Sequence, residues 1–196
     1  MSYQQEVQVG VAAVTAAAQL CQQVRAAIPT AMEKEDKSPV TIADYGSQAI
    51  ICQALAAAFP ADPVVGEEDA AELRDPANAE ILAQVTQYVG AQVSGATSEA
   101  VADWIDRGNG KVASRYWTLD PIDGTKGFLR GDQYAIALAL VENGDLKVGV
   151  LACPALPQDL RQPDGPTGLL FVAVRGEGTK MMLIGETEGR TTRVVT

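Results

Sequence analysis

Residues Tyr3 to Ile28 repeat apolar side chains at the three- and four-residue spacing of a helix, in a stretch rich in Ala and Gln that stops at Pro29. A polar stretch, MEKEDKSPV, follows; it is too charged for a core, and Glu33 to Lys37 reads as a solvated face. Thr41 can cap a second helix that runs to about Phe59 and stops at Pro60. Pro63-Val64-Val65-Gly66 predicts a short strand leading into the acidic run Glu67-Glu68-Asp69. Two further helices are predicted over Ala77 to Val93 and Ser98 to Ile105, and DRGNGKVAS reads as a loop. From Arg115 the period changes to that of strands: Trp117 to Leu119, Tyr134 to Val141, Leu146 to Ala152, Leu169 to Val174 and Thr179 to Ile184. Asn143-Gly144 joins one hairpin and Gly176-Glu177-Gly178 another, and Thr192 to Val195 opens or ends a further strand. PALPQDLRQPDGPTG reads as a surface loop.

Helices come first and antiparallel strands after, so the predicted fold class is α+β, with helices packed on a sheet. No internal repeat is present, and 196 residues suffice for one ordinary core.

Composition narrows the chemistry. The chain is 47% hydrophobic and carries a formal charge of −10, which argues against nucleic acid held on a basic surface. An anionic small molecule stays possible provided that cations stand between it and the protein. Histidine is absent, which removes imidazole bases, histidine phosphoenzymes and His-ligated zinc together. Cys21, Cys52 and Cys153 are scattered and read as buried or inert thiols of a reducing compartment, cytosol or plastid stroma. No basic segment precedes the first apolar residues, so the reading is of a protein that is not secreted; no run is apolar and long enough to span a membrane.

The candidate chemistry lies in Asp120-Pro121-Ile122-Asp123-Gly124-Thr125. Two aspartates in one tight turn after a strand can offer oxygens to hard cations, with the Ile122 carbonyl between them. Gly124 and Thr125 then supply backbone N–H groups and a hydroxyl suited to phosphate, where a helical turn begins. The plainer reading is an Asx-type turn. Glu67 and Glu68 at a strand end, and Asp44 in the first turn of a helix, add two more sources of negative charge; Asp44 taken singly could be a capping or dipole partner. Other loops fail their tests. Gly110-Lys111 lacks the phosphate-loop pattern because Ile105 stands where Gly is required and Val112 where Ser or Thr is required. A cysteine phosphatase needs Arg where Asp159 stands, and the DxxDxT spacing is wrong for an aspartyl-phosphate enzyme. Attack by a metal-activated water remains.

Four blocks, KEDKSPVTIADYGSQ, VVGEEDA, WTLDPIDGTKGFLRGDQYAIALAL and VGVLACPALP, occur in that order, and with them the chain resembles the 3′(2′),5′-bisphosphate nucleotidases of the inositol monophosphatase superfamily, closest in wording to the plant and algal branch. The resemblance implies the N-terminal half of an αβαβα sandwich, with residues 1–196 as a single α+β metal- and phosphate-binding domain and the family's C-terminal α/β domain expected to be absent from them. It implies hydrolysis of the 3′-phosphate of adenosine 3′,5′-bisphosphate (PAP) to AMP, and of PAPS, with inositol polyphosphates as a further substrate class. The alternatives are an inositol polyphosphate 1-phosphatase or other phosphatase of the superfamily, and a truncated, non-catalytic piece that binds metal or nucleotide or pairs with a partner. The implied cofactor is Mg²⁺, about two or three ions, with Li⁺ inhibitory. Carried over, Glu67, Asp120, the Ile122 carbonyl and Asp123 bind metal, Asp44 and Thr125 orient and deprotonate water, Gly124 and Thr125 touch phosphate, and Glu68 stands behind the metal ligands. From this chain alone, weak metal binding and little turnover are expected.

Overall fold

The computed structural model describes residues 3–27, 38–186 and 192–194, with the backbone alone at 38–40 and 192–194. The charged run Glu33 to Lys37, Ile28 to Pro29 and Val195 therefore lie outside the described residues. Helix α1 spans Gln4–Ala26 and buries Gly10, Ala13, Val14, Ala17, Cys21 and Val24, the stripe that the spacing predicts. Its small residues allow close approach: a Cβ on Gly10 would stand 3.3 Å from the Val150 side chain.

Helix α2 spans Ser38–Ala58, so it begins a turn before the expected cap at Thr41. Pro39 in the first turn is no obstacle, because an N–H there has no helical partner in any case. From Ile42 to Cys52 α2 is buried almost all round, since it packs on α1, on α3 (Ala79–Gly90), on α4 (Ser98–Asp106) and on the sheet. The helix expected over Ala77 to Val93 is shorter: Asp75 accepts from the Ala77 N–H and caps a 3₁₀ turn, Pro76–Asn78, before α3 begins.

Among the described residues the sheet has seven strands in sequence order: β1 Val64–Val65, β2 Arg115–Asp123, β3 Ala135–Glu142, β4 Asp145–Pro157, β5 Thr167–Val174, β6 Gly178–Leu183 and β7 Thr192–Val194. Only β1 and β2 run parallel; the rest form an antiparallel meander. The β3–β4 turn has φ 52° at Asn143 and 79° at Gly144, the conformation that makes Asn-Gly a hairpin signal. β4 runs on to Pro157, into the segment expected to be loop, across an irregularity in its pairing with β5.

Ile136, Leu138 and Leu140 of β3, Val148, Val150 and Ala152 of β4, and Leu170 and Val172 of β5 form the buried face, against α1. The opposite face is floored by Ala137, Ala139, Gly149 and Ala173, and Leu146 is 52% exposed there beside Leu151. Among the described residues no helix covers it.

Arg115 at the start of β2 ties the N-terminal elements together. Its guanidinium donates to Asp62 before β1 at 2.8 Å, to Glu6 of α1 at 3.1 Å and to Glu142 of β3. Tyr3 donates to Glu142 at 2.6 Å, and the Trp117 indole N–H to Asp62 at 3.3 Å. Arg115→Met keeps the apolar stem but leaves three partly buried carboxylates around a neutral group. Urea titration is expected to register a loss of about 2–3 kcal/mol; an unchanged midpoint would mean that the three pairs contribute nothing.

Candidate active site

The acidic segment of β2 is not the tight turn that the sequence suggests. The strand continues through it with an irregular register: Asp120 pairs with Ala137 and Asp123 with Ala135. Three steps on β2 thus oppose two on β3, a β-bulge. Pro121, which has no N–H to give a ladder, sits in the bulge, where a central strand tolerates it. The consequence for the site is geometric. In a regular strand, residues three apart point to opposite faces. The extra residue restores the phase, so both aspartates share the face of Ala135 and Ala137, away from α1.

Gly124 follows with φ 96°, in the left-handed region, and caps the six-residue helix α5, Thr125–Arg130, which the sequence analysis allowed only as a helical turn. The chain then folds back so closely that a Cβ on Gly127 would lie 1.9 Å from the Gln133 carbonyl oxygen. Phe128 is fully buried beneath α5 and meets Tyr134 edge-on at 5.0 Å. α5 also packs on α2, so the helix that Thr125 opens touches the helix that bears Asp44.

Asp44 is not in the first turn of α2, as expected, but about two turns in. The helix start that would make it a cap or dipole partner is therefore too far away. Burial pushes its carboxyl up to about 8, with further contributions from Glu68, Glu67 and Asp120. Burial also raises Asp120, followed by the charges of Glu67 and Asp123. Glu68 is raised by burial and then by Glu67 and Asp69. Acids from α2, from the segment after β1 and from the β2 bulge thus lie within one another's fields.

Among the described residues, none of Asp44, Glu67, Glu68, Asp120 or Asp123 forms an ion pair with Lys or Arg. Asp120 Oδ1 is buried without a hydrogen-bond partner. The donor set fits a hard divalent cation: it is all oxygen, negatively charged and in part desolvated. Among the described residues no three acidic or cysteine side chains close into a ready-made metal cage. Asp123, Gly124 and Thr125 are exposed, and the Ile122 side chain is buried in the bulge. Cys21 and Cys52 are buried as expected, and burial pushes both thiols up to about 12. The sequence analysis missed Gln48, whose signal was an amide, one of two with Gln53, inside the apolar run of α2.

Unfolded, Asp44 releases its proton near 3.8; folded, it holds it to about 8. Between those values the folded state binds more protons, so the contribution of Asp44 to stability falls as pH rises and is flat above the folded value. In metal-free buffer Asp44→Asn is expected to be more stable than the parent at pH 8, by on the order of 1–3 kcal/mol, with the gap closing towards pH 4. Chemical denaturation at the two pH values measures this, and a variant less stable at pH 8 than at pH 4, relative to the parent, would contradict it.

The sequence profile of the inositol monophosphatase family matches residues 3–191. The chain is 44% identical to a 3′(2′),5′-bisphosphate nucleotidase of Schizosaccharomyces pombe over 197 aligned residues, covering 91% of this chain and 55% of that protein. It is 40% identical to 3′(2′),5′-bisphosphate nucleotidase 1 of Arabidopsis thaliana, covering 94% of this chain and 58% of that one. The chain therefore spans little more than half the length of these relatives. Among solved structures, CysQ of Bacteroides thetaiotaomicron, a bacterial member of the inositol monophosphatase family, superposes with a TM-score of 0.52 at 22% identity, over 97% of this chain and 54% of that one. SuhB of Mycobacterium tuberculosis gives 0.54 at 20%, over 96% and 51%. These two likenesses carry the fold, and the profile match extends it to descent: the chain belongs to the inositol monophosphatase family.

Proposed function

We propose that this chain carries the metal- and phosphate-handling half of a Mg²⁺-dependent phosphohydrolase that removes the 3′-phosphate of PAP, leaving AMP, and of PAPS. The observation that carries this reading is the crowd of five carboxylates without a Lys or Arg partner among the described residues, one of them with a buried oxygen that bonds to nothing. An anionic substrate cannot approach such a crowd unless cations stand between. Phosphatases of this family are generally metal-dependent. Similarity to proteins named as bisphosphate nucleotidases supports a nucleotide over an inositol polyphosphate. The formal charge of −10 supports a small substrate over nucleic acid.

Glu67, Asp120, the Ile122 carbonyl and Asp123 would hold the Mg²⁺ ions. Bound there, the ions supply positive charge that attracts phosphate and lowers the pKa of water. Asp44 and Thr125 would orient the attacking water, and Asp44, ionised once cations offset the charge of its neighbours, would take up its proton. Gly124 and Thr125 bind the phosphate through N–H and hydroxyl groups. Glu68, half-buried beside Glu67, adds negative charge behind the ligands. Li⁺ is expected to inhibit.

A second reading, association with a partner that covers the sheet, is favoured by its open apolar face, where Leu146 and Leu151 stand exposed. No helix among the described residues is long and apolar enough to cross a membrane.

In equilibrium dialysis PAP is expected to be retained in Mg²⁺ and released by EDTA, with slow phosphate release alongside. Asp123→Asn should weaken retention about 10-fold or more, whereas Asp164→Asn, in an exposed loop, should not. Retention that ignores EDTA would overturn the metal reading. A chain that sediments as a monomer and turns PAP over rapidly by itself would remove the second reading.

A further inference from the structure

Gln48 lies one helical turn beyond Asp44 on α2, on the same stripe of the helix. It is fully buried, the setting in which an amide is retained only when its bonds are made. Its Nε2 donates to the Glu68 carbonyl and, at 2.9 Å, to the Ile105 carbonyl; its Oε1 accepts from the Glu68 N–H at 3.0 Å. The carboxamide therefore grips Glu68 by both backbone groups, as a neighbouring strand would, and joins it to the end of α4.

Space has been kept for this grip on both sides. A Cβ on Gly66 would fall 2.4 Å from Gln48 Oε1, and one on Gly108 2.4 Å from Nε2. The two glycines are themselves bonded, Gly66 N–H to the Gly108 carbonyl at 2.8 Å. Asp106 secures the far end by accepting from the Ala70 N–H at 2.8 Å, and Arg74 holds Asp106 at 2.7 Å. Main-chain bonds thus fix a segment whose carboxylates, Glu67 and Glu68, repel Asp44 and each other.

We propose that Gln48 is a positioning residue: by pinning the Glu67-Glu68 segment to the helix turn that follows Asp44, it sets the spacing of the carboxylates and thereby the affinity of the site for a divalent ion. This rests on the metal reading given above. A single rigid helix places Asp44 and the clamp together, so the distance between the α2 acid and the acids after β1 does not depend on loop conformation. Removing the amide leaves the Glu68 N–H and carbonyl without these partners, while the Ile105 carbonyl keeps the Gly108 N–H at 2.8 Å, and it frees the segment to spread under like-charge repulsion.

The test is Mn²⁺ binding by the 196-residue chain, read by electron paramagnetic resonance with the metal alone, under conditions where every variant is folded by circular dichroism. Gln48→Met is expected to lose about 10- to 100-fold in Mn²⁺ affinity. Gln48→Leu, which is close to the amide in volume and offers neither donor nor acceptor, covers the case in which Met does not fold and should lose about as much. Ile51→Val, equally buried on the same helix, lowers stability yet should leave affinity unchanged. Exchange of the Glu68 amide should quicken in both Gln48 variants and not in Ile51→Val. Parental affinity in a folded Gln48 variant, or equal loss in Ile51→Val, overturns the proposal while leaving the metal reading intact. A parent chain that binds no Mn²⁺ sinks the metal reading and this proposal together, even if amide exchange still reports the clamp.

Discussion

Like charges gathered in one place and in part withdrawn from water are the constraint around which this fold is arranged. Burial raises the proton affinity of Asp44, Glu68 and Asp120, and the charges of neighbouring acids add to the effect. Such a grouping lowers the stability of the metal-free protein, so it persists only if the surrounding backbone leaves the carboxylates no room to separate.

The backbone does this with devices that make few demands on the carboxylates themselves. The bulge at Pro121 and Ile122 re-phases β2 so that Asp120 and Asp123 share a face. The fold-back over Gly127 locks α5 against the approach to β3 and holds Gly124 and Thr125 beside the bulge. Gln48 and Asp106 take the main chain of the acidic segment after β1. In each case the hydrogen bonds are made by main-chain atoms or by side chains outside the cluster, which leaves the acids available to a cation.

Arg115 shows the opposite solution within the same molecule. There three carboxylates from α1, the segment before β1 and β3 converge on one guanidinium, which pairs with all of them and offsets part of their charge. The contrast separates an acidic cluster that supports the fold from one that the fold supports. The first has its cation built in; the second, among the described residues, does not.

Much of this was legible in the residues. Helical spacing in α1, alternation in β3 and Asn-Gly between β3 and β4 are local signals, and local sterics decide them. The acids of the site could be singled out because Asp, Gly and Thr at short spacing carry a chemistry that few structural roles need. What the sequence did not contain was the bulge. Read as a strand followed by a tight turn, DPIDG is expected to bring both aspartates to one side; the strand instead continues, and its irregular pairing with Ala135 and Ala137 does so. The start of α2 at Ser38, which takes Asp44 away from the helix terminus, and the role of Gln48 were likewise decided by packing. An amide in an apolar run reads as an exception until the chain brings a peptide group from twenty residues away against it. Local preference fixes which elements form; the meeting of distant backbones fixes which side chains face one another.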